Sequence, residues 1–361
     1  MNLWAQEIPE KSNGGTIEGL FDFADEVINL ISRDSWTFIP AVTYSPETSL
    51  GLGIRALKLF RPANSQDSIT RPSSLPITFL YTLNKQAFVT TELNLWMRDN
   101  SAYLNTRFEL SDYPFRFYGI GNNPQTDEVY ATRYAYFHIN YEKRLAPGLY
   151  LGPRYEFRID DIYEKLEQGL LASGVVAGSD GQLLSGLGLV LNYDTRDNIF
   201  QPGVGVFHQL SYMTFQRYFG SNFTFSQYQL DLRKYIEVRP THILVGQAWL
   251  SFTAGNPPFQ HVSLIGGSDR MRGFFEGKYR DLHAMVYQTE YRLPVYRNLG
   301  LVVFGNAGQV APTVKGFSIQ GFKYGGGVGF RYKLNDEGLN IRLDIGVGDQ
   351  RAFYFGLNEV I

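Results

Sequence analysis

In this sequence the residue most clearly in need of a partner is an arginine. Arg272 sits in Gly266-Gly267-Ser268-Asp269-Arg270-Met271-Arg272-Gly273-Phe274, a basic and aromatic cluster behind two glycines. In open solvent such a run is a flexible surface loop. Inside a protein its guanidinium must be paired, because an unpaired buried charge is costly. Glu290 can meet it in a charge-assisted contact and Asn306 through its amide oxygen. Gly273 allows a tight turn there, and Phe274 can pack on aromatic neighbours. Catalysis has no comparable constellation. His138, His208, His242, His261 and His283 lack metal-ligand spacing, and cysteine is absent, so neither a metal nor a cofactor is expected. No Gly-x-Ser-x-Gly elbow, P-loop or dinucleotide fingerprint stands between a strand and a helix, and the chain is read as non-enzymatic, with no catalytic residue. A lipid-facing Ser/His pair around His138 or His208 is the one enzymatic arrangement left open.

The elements that position Arg272 are strands. From Trp36 onward polarity alternates with a period of two. Leu339, Ile341, Leu343, Ile345 and Val347 share one face, and Asn340, Arg342, Asp344 and Gly346 the other. Met285, Tyr287 and Tyr291 likewise oppose Gln288, Glu290 and Arg292, which turns Glu290 toward the polar side. A soluble sandwich would present that polar side to bulk water. Strands of roughly ten to fifteen residues, aromatic residues near strand ends and turns that alternate long and short favour a membrane instead. Composition agrees: 27 Phe, 24 Tyr and 37 Gly suit aromatic girdles and barrel bends, while no run approaches the eighteen or so apolar residues of a helical span. A net charge of -2 gives no reason to propose nucleic acid as a partner.

The alternation predicts strands over 36–44, 48–60, 75–84, 86–98, 101–112, 132–145, 148–162, 184–195, 203–216, 223–238, 241–254, 283–295, 298–311, 323–334, 338–348 and 351–360. The expected fold is therefore all-β: a 16-stranded antiparallel transmembrane β-barrel over residues 36–361, in the bacterial outer membrane. An even count puts both ends on one side. With the amino end in the periplasm, the long connections 113–131, 163–183, 255–282 and 312–322 fall outside the cell. The short turns Asp99-Asn100, Ala146-Pro147-Gly148, Arg239-Pro240 and Asn335-Asp336-Glu337-Gly338 fall inside. Residues 61–74 disagree, being long for a periplasmic turn. Either they fold back under the barrel or the first strands are misplaced.

Residues 1–35 read as a periplasmic tail and an amphipathic helix of about 17–33. Ile17, Leu20, Phe21, Ala24, Val27, Ile28 and Ile31 form one apolar stripe, with Thr16 as N-cap and acids in the first turns. Three roles stand open: resting on the membrane or barrel rim, plugging the lumen mouth, or docking a partner. Its acids make it a poor ligand for anionic lipid. The start, Met1 to Gln6, has no basic n-region and reads as the tail of a signal peptide or an arbitrary beginning.

Four further segments carry a resemblance. They are Asn192-Tyr193-Asp194-Thr195-Arg196-Asp197-Asn198 with Pro202-Gly203, Phe117-Tyr118-Gly119-Ile120-Gly121-Asn122, Gln288-Thr289-Glu290-Tyr291-Arg292, and Phe304-Gly305-Asn306-Ala307-Gly308. With Arg272-Gly273-Phe274 they resemble, in the same order, motifs of the BamA/TamA superfamily of outer-membrane barrels, the bacterial surface antigen family. The resemblance runs over roughly residues 110–361. It implies that the loop after the eleventh strand folds back into the lumen, anchored by Arg272, Gly273, Phe274, Glu290 and Asn306. It also implies a turn built on Asp194, Arg196, Asp197 and Gly203. The function it implies is assistance in the insertion or translocation of proteins or lipids by a monomeric barrel. Its partners would be outer-membrane lipid, lipopolysaccharide and a periplasmic or outer-membrane protein. The sequence departs from the family in three places. Asn306 stands where the family has Asp, so one of two carboxylates is missing. The last residues are Asn358-Glu359-Val360-Ile361 in place of a terminal aromatic. Some 35 residues precede the first strand, too few for a POTRA module, so a short POTRA-less member is expected. The second reading is a pore or structural barrel without assembly activity, gated or plugged by the helix and the lumen loop.

Overall fold

The computed structural model describes residues 32–33, 36–62, 70–334 and 338–361. Sixteen antiparallel strands form one nearly closed cylinder. They are β1 (Trp36–Ser45), β2 (Ser49–Phe60), β3 (Ser73–Thr82), β4 (Ala87–Trp96), β5 (Ala102–Phe117), β6 (Glu128–Ala146), β7 (Leu149–Lys165) and β8 (Gln182–Asp194). The second half comprises β9 (Gly205–Phe215), β10 (Thr224–Arg239), β11 (His242–Asn256), β12 (His283–Tyr296), β13 (Leu299–Ala311), β14 (Lys323–Lys333), β15 (Asn340–Val347) and β16 (Arg351–Leu357). Each strand pairs with the next. Contact between β16 and β1 completes the cylinder, with the rings of Tyr44 and Phe353 6.3 Å apart across that seam.

Alternation explains why these segments are strands and which way they face. On β15, Asn340, Arg342 and Asp344 are buried in the lumen, while Leu343 and Val347 are exposed on the outside. Leu52, Ile54, Phe79, Tyr81 and Leu189 join them outside, where lipid removes the cost of apolar exposure. Connections 118–127, 166–181, 257–282 and 312–322 all leave from one end, here called the upper end; the lower end carries mostly tight turns. Some tight turns need left-handed residues, as at Asp99 and Asn100 (φ 55° and 53°) and Gly148 (φ 74°).

Several boundaries differ from expectation. The β5–β6 hairpin extends past 112 to pair Pro114 with Ala131 and Phe117 with Glu128, so the loop 113–131 shrinks. Pro114 reads as a breaker in sequence, but its carbonyl remains an acceptor and takes Gln86 Nε2 at 2.9 Å. β16 ends at Leu357 because Asn358 turns the chain with φ 62°. Ser32–Arg33 is extended and pairs with Thr37 and Trp36, so no helix reaches residue 33. That pairing gives their backbone groups partners that the helical expectation overlooked. The stripe Ile17, Leu20, Phe21, Ala24, Val27, Ile28 and Ile31 lies outside the described residues.

Thr70 and Arg71, ahead of β3, lie against the lower rim. Thr70 Oγ1 accepts from Asp99 N at 3.0 Å, and Arg71 N donates to Asn100 Oδ1 at 2.9 Å. The Arg71 guanidinium passes over Trp96 at 4.9 Å and reaches Asp194 Oδ2 at 2.6 Å. Arg196 holds the same carboxylate at 2.8 Å, so Asp194 clasps two strand connections at the lower rim. Asp197 Oδ1 accepts from the amides of Asn198, Gly203 and Val204, which shapes the turn before β9. The glycine that this turn requires is Gly205 rather than Gly203. Gly205 has φ 112°, and a Cβ there would stand 2.4 Å from the Thr195 carbonyl. Asp194→Ala would strand two guanidiniums at the rim, a loss on the order of 3 kcal/mol. It should lower the temperature at which the barrel loses its compact gel mobility; wild-type heat resistance would remove the clasp from the account.

Candidate functional site

The loop 257–282 turns into the lumen because its apolar residues have a surface to bury there. Ser263–Ile265 and Tyr279–Asp281 pair as a short ribbon at its base. Ile265, Met271, Phe274 and Tyr279 pack on Trp249, Ala284, Val286 and Val310 of the wall. Phe274 is 1% exposed, and burial of one such ring contributes about 1.5–3 kcal/mol. Gly325 and Gly348 make the room: a Cβ on either would stand under 3 Å from the Phe274 ring. Gly273 has φ 99° and lies against Val347 too closely for any side chain. Its amide donates to the Tyr354 hydroxyl at 3.0 Å, and its carbonyl accepts from Gln350 N at 3.1 Å.

Arg272 is fully buried between two carboxylates. Nη2 lies 2.5 Å from Glu290 Oε1, Nη1 lies 2.6 Å from Asp344 Oδ2, and the guanidinium sits 3.6 Å from the centroid of the Phe304 ring. Its second carboxylate is therefore Asp344 of β15. Contrary to expectation, Asn306 does not accept from the guanidinium; its Nδ2 donates to the Arg272 carbonyl at 3.0 Å. Loop depth accounts for the exchange: the backbone of Arg272 lies level with Asn306, and its guanidinium reaches past that residue to Phe304 of the same strand.

The pairing continues into a closed ring. Glu290 also holds Arg292 at 2.8 Å, and Asp344 holds Arg331 at 2.6 Å. Both of these arginines reach Glu359, which lies beyond β16, at 3.6 Å and 2.8 Å. Three guanidiniums and three carboxylates thus alternate around the lumen, each flanked by two of opposite charge, and Arg342 approaches Asp344 from outside the ring at 3.8 Å. Sequence reasoning placed Arg272 and Glu290 together but missed Asp344, Arg331 and Glu359. The polar parity of Asp344 and Arg331 was visible, whereas strand register was not; Glu359 shares the parity of the outward-facing Phe353 and reaches the ring because Asn358 turns the chain.

Above the ring, the loop braces both sides of the seam. Glu276 N donates to Glu47 Oε1 at 2.8 Å, at the turn between β1 and β2. Lys278 bonds Asp349 at 3.0 Å, at the turn between β15 and β16, and the Tyr279 hydroxyl bonds the same carboxylate. Glu276 lines a lumen cavity of about 460 Å³ with Trp249, Arg270 and His261. Glu276 is open to this cavity, and enclosure by the lumen wall, with the carboxylates of Glu47 and Asp269 nearby, pushes its acid up to about 7.

Arg272→Ala leaves two buried carboxylates and should cost about 3–5 kcal/mol, read as earlier loss of the heat-modifiable folded band. Asn306→Asp should also destabilise, because a carboxylate oxygen would face the Arg272 carbonyl in place of a donor. An Asp variant equal to wild type would overturn that role. Glu276 gives a pH test. Its acid is raised in the folded state, so its favourable contribution is present below about 4.5 and lost as pH rises through about 7. Glu276→Gln should therefore leave stability unchanged at pH 4 and raise it at pH 8, in thermal unfolding followed by circular dichroism.

Comparison with known proteins bears on this geometry. The Omp85 superfamily domain matches residues 78–360. Among solved structures, BamA from Haemophilus ducreyi lacking POTRA domains 1-3 superposes with a TM-score of 0.60 at 11% identity, covering 91% of this chain and 70% of that one. CdiB from Acinetobacter baumannii gives 0.59 at 12%, covering 90% and 60%. CdiB from Escherichia coli gives 0.55 at 10%, covering 94% and 70%. No curated protein matches the sequence. At these identities the superpositions show a shared fold, and the domain match extends over most of the barrel. The chain belongs to the Omp85 superfamily, whose barrels are bacterial outer-membrane proteins.

Proposed function

We propose that this barrel assists the insertion or translocation of proteins at the outer membrane by opening its seam, without enzymatic chemistry. The observation that carries the reading is the seam itself. β16 has seven residues and β15 eight, against nineteen in β6. Since alternate residues bond to each neighbour, a seven-residue strand can form only about three or four hydrogen-bonded residue pairs with β1, each of two bonds. Little pairing then needs to break before a client strand or lipid passes between β16 and β1. The loop supplies the control, since it holds Glu47 on one flank and Tyr354 and Asp349 on the other. The amino end and the tight turns face the periplasm, where a separate protein partner delivers the client; outer-membrane lipid and lipopolysaccharide surround the monomeric barrel.

Absence of cysteine makes the seam directly testable. A Tyr44→Cys/Phe353→Cys pair should form a reversible disulfide across it. Depletion of the protein should remove a subset of outer-membrane proteins from the proteome. The double variant should restore them when reduced and fail when oxidised. Full rescue by the oxidised form would refute seam opening, and an unchanged proteome on depletion would mark a pore or structural barrel instead.

A further inference from the structure

Past the last strand the chain enters the barrel. Asn358, at φ 62°, turns Glu359, Val360 and Ile361 back into the lower mouth. Ile361 is 2% exposed and packs on Tyr235 and Val245, with Phe207 and Ile243 beside them. Glu359 accepts from Arg331 Nε and from Asn340 Nδ2, both at 2.8 Å, with Arg292 Nε at 3.6 Å. Arg292 Nη2 also donates to the Ile361 backbone oxygen at 2.7 Å. A short peptide segment thus lies in a shaped niche. Two guanidiniums and an amide receive its acidic side chain, and an aromatic and aliphatic floor receives the residue two positions on.

The niche has more binding capacity than this segment uses. It adjoins a cavity of about 330 Å³ lined by Arg292, Arg331, Asn340 and Glu359 together with the turn residues Gln201 and Thr241 of the lower mouth. Within that lining Arg292 Nη1, Arg331 Nη2 and Asn340 Oδ1 are buried without a hydrogen-bond partner among the described residues. Buried polar groups of folded proteins are nearly always satisfied, so three together at one cavity point to a ligand. Among the described residues the segment belongs to no strand ladder and is held by side-chain contacts, apart from the Asn358 amide, which bonds the Asn340 carbonyl at 2.8 Å.

We propose that this niche is a peptide-binding site, occupied in cis by Asn358–Ile361. It is open to exchange with a partner segment that carries an acidic side chain followed by two aliphatic residues. The cis segment competes at the high effective concentration of a tethered ligand, so a partner must approach millimolar local concentration or bind more tightly. Exchange frees the lower end of β16, because Leu357 is its last paired residue and Asn358 follows directly. Recognition at this site is independent of the assembly reading, since occupancy can be measured on the isolated barrel.

The test uses the full chain folded in detergent, with Ile361→Cys as its single thiol. The probe is a synthetic peptide of the sequence Gly-Leu-Asn-Glu-Val-Ile, which reproduces residues 356–361. Maleimide labelling of the buried thiol should be slow and should accelerate about tenfold with excess peptide, whereas a peptide with Gln in place of Glu should have little effect. In fluorescence anisotropy, the labelled peptide should bind a Glu359→Gln variant about tenfold more tightly than wild type, because the cis competitor has lost its charge. Should that variant misfold, the thiol assay in the otherwise native chain decides alone. A labelling rate unmoved by peptide, or equal action of the Glu and Gln peptides, overturns the proposal even if the barrel proves to assemble clients.

Discussion

A guanidinium moved from water into a barrel lumen loses its hydration, and the protein must restore that loss with carboxylates in good geometry. Here Arg272 obtains two, Glu290 from β12 and Asp344 from β15, and each of those is shared with another arginine. The shared carboxylates make the pairing a ring rather than a set of pairs. No member can be withdrawn without leaving two neighbours under-compensated. Since the six groups come from the lumen loop, β12, β14, β15 and the segment beyond β16, one electrostatic arrangement ties the position of the loop to the register of the wall.

That dependence explains why the glycines and aromatics lie where they do. Gly273 must come within contact of the Val347 backbone to deliver Arg272 to its depth, and Gly325 and Gly348 must lack side chains so that Phe274 can follow. The rest of the loop then reaches Glu47 on one flank of the seam and Asp349 on the other. At the opposite end a smaller clasp, Arg71 and Arg196 on Asp194, gathers the rim under β4 and β8.

The sequence made the strands legible because a period of two is strong over long, half-buried segments. Asn340 to Val347 shows it without ambiguity, although Leu339, which the pattern would turn outward, packs inside on Ile39 and Leu57. Parity also turned Glu290 and Asp344 to the same side, the lumen. What parity does not contain is register, since a strand slid by two residues shows the same faces. Asp344 was therefore visible as a lumen carboxylate but not as the partner of Arg272, and Asn306 was assigned an acceptor's place that it does not hold. Pro114 misled for a different reason: a proline forfeits its own donor but not its neighbours' pairing. The inward turn after Leu357 depends on a left-handed Asn358, and a single asparagine does not announce that conformation in sequence.

The strand lengths have a consequence for the surrounding lipid. At about 3.4 Å per residue, the nineteen residues of β6 extend roughly 65 Å along the strand, and the seven of β16 only about 24 Å. Barrel strands tilt by about 35–45°, so the shorter one rises less than 20 Å along the membrane normal, against an apolar band of about 25 Å. The wall is consequently of unequal height. Beside β15 and β16 the bilayer must compress to meet the protein, and it relaxes again toward β6 on the far side. A membrane held thin at one azimuth is easier to perturb there than elsewhere, so the barrel marks a particular place in its own lipid annulus before any strand moves.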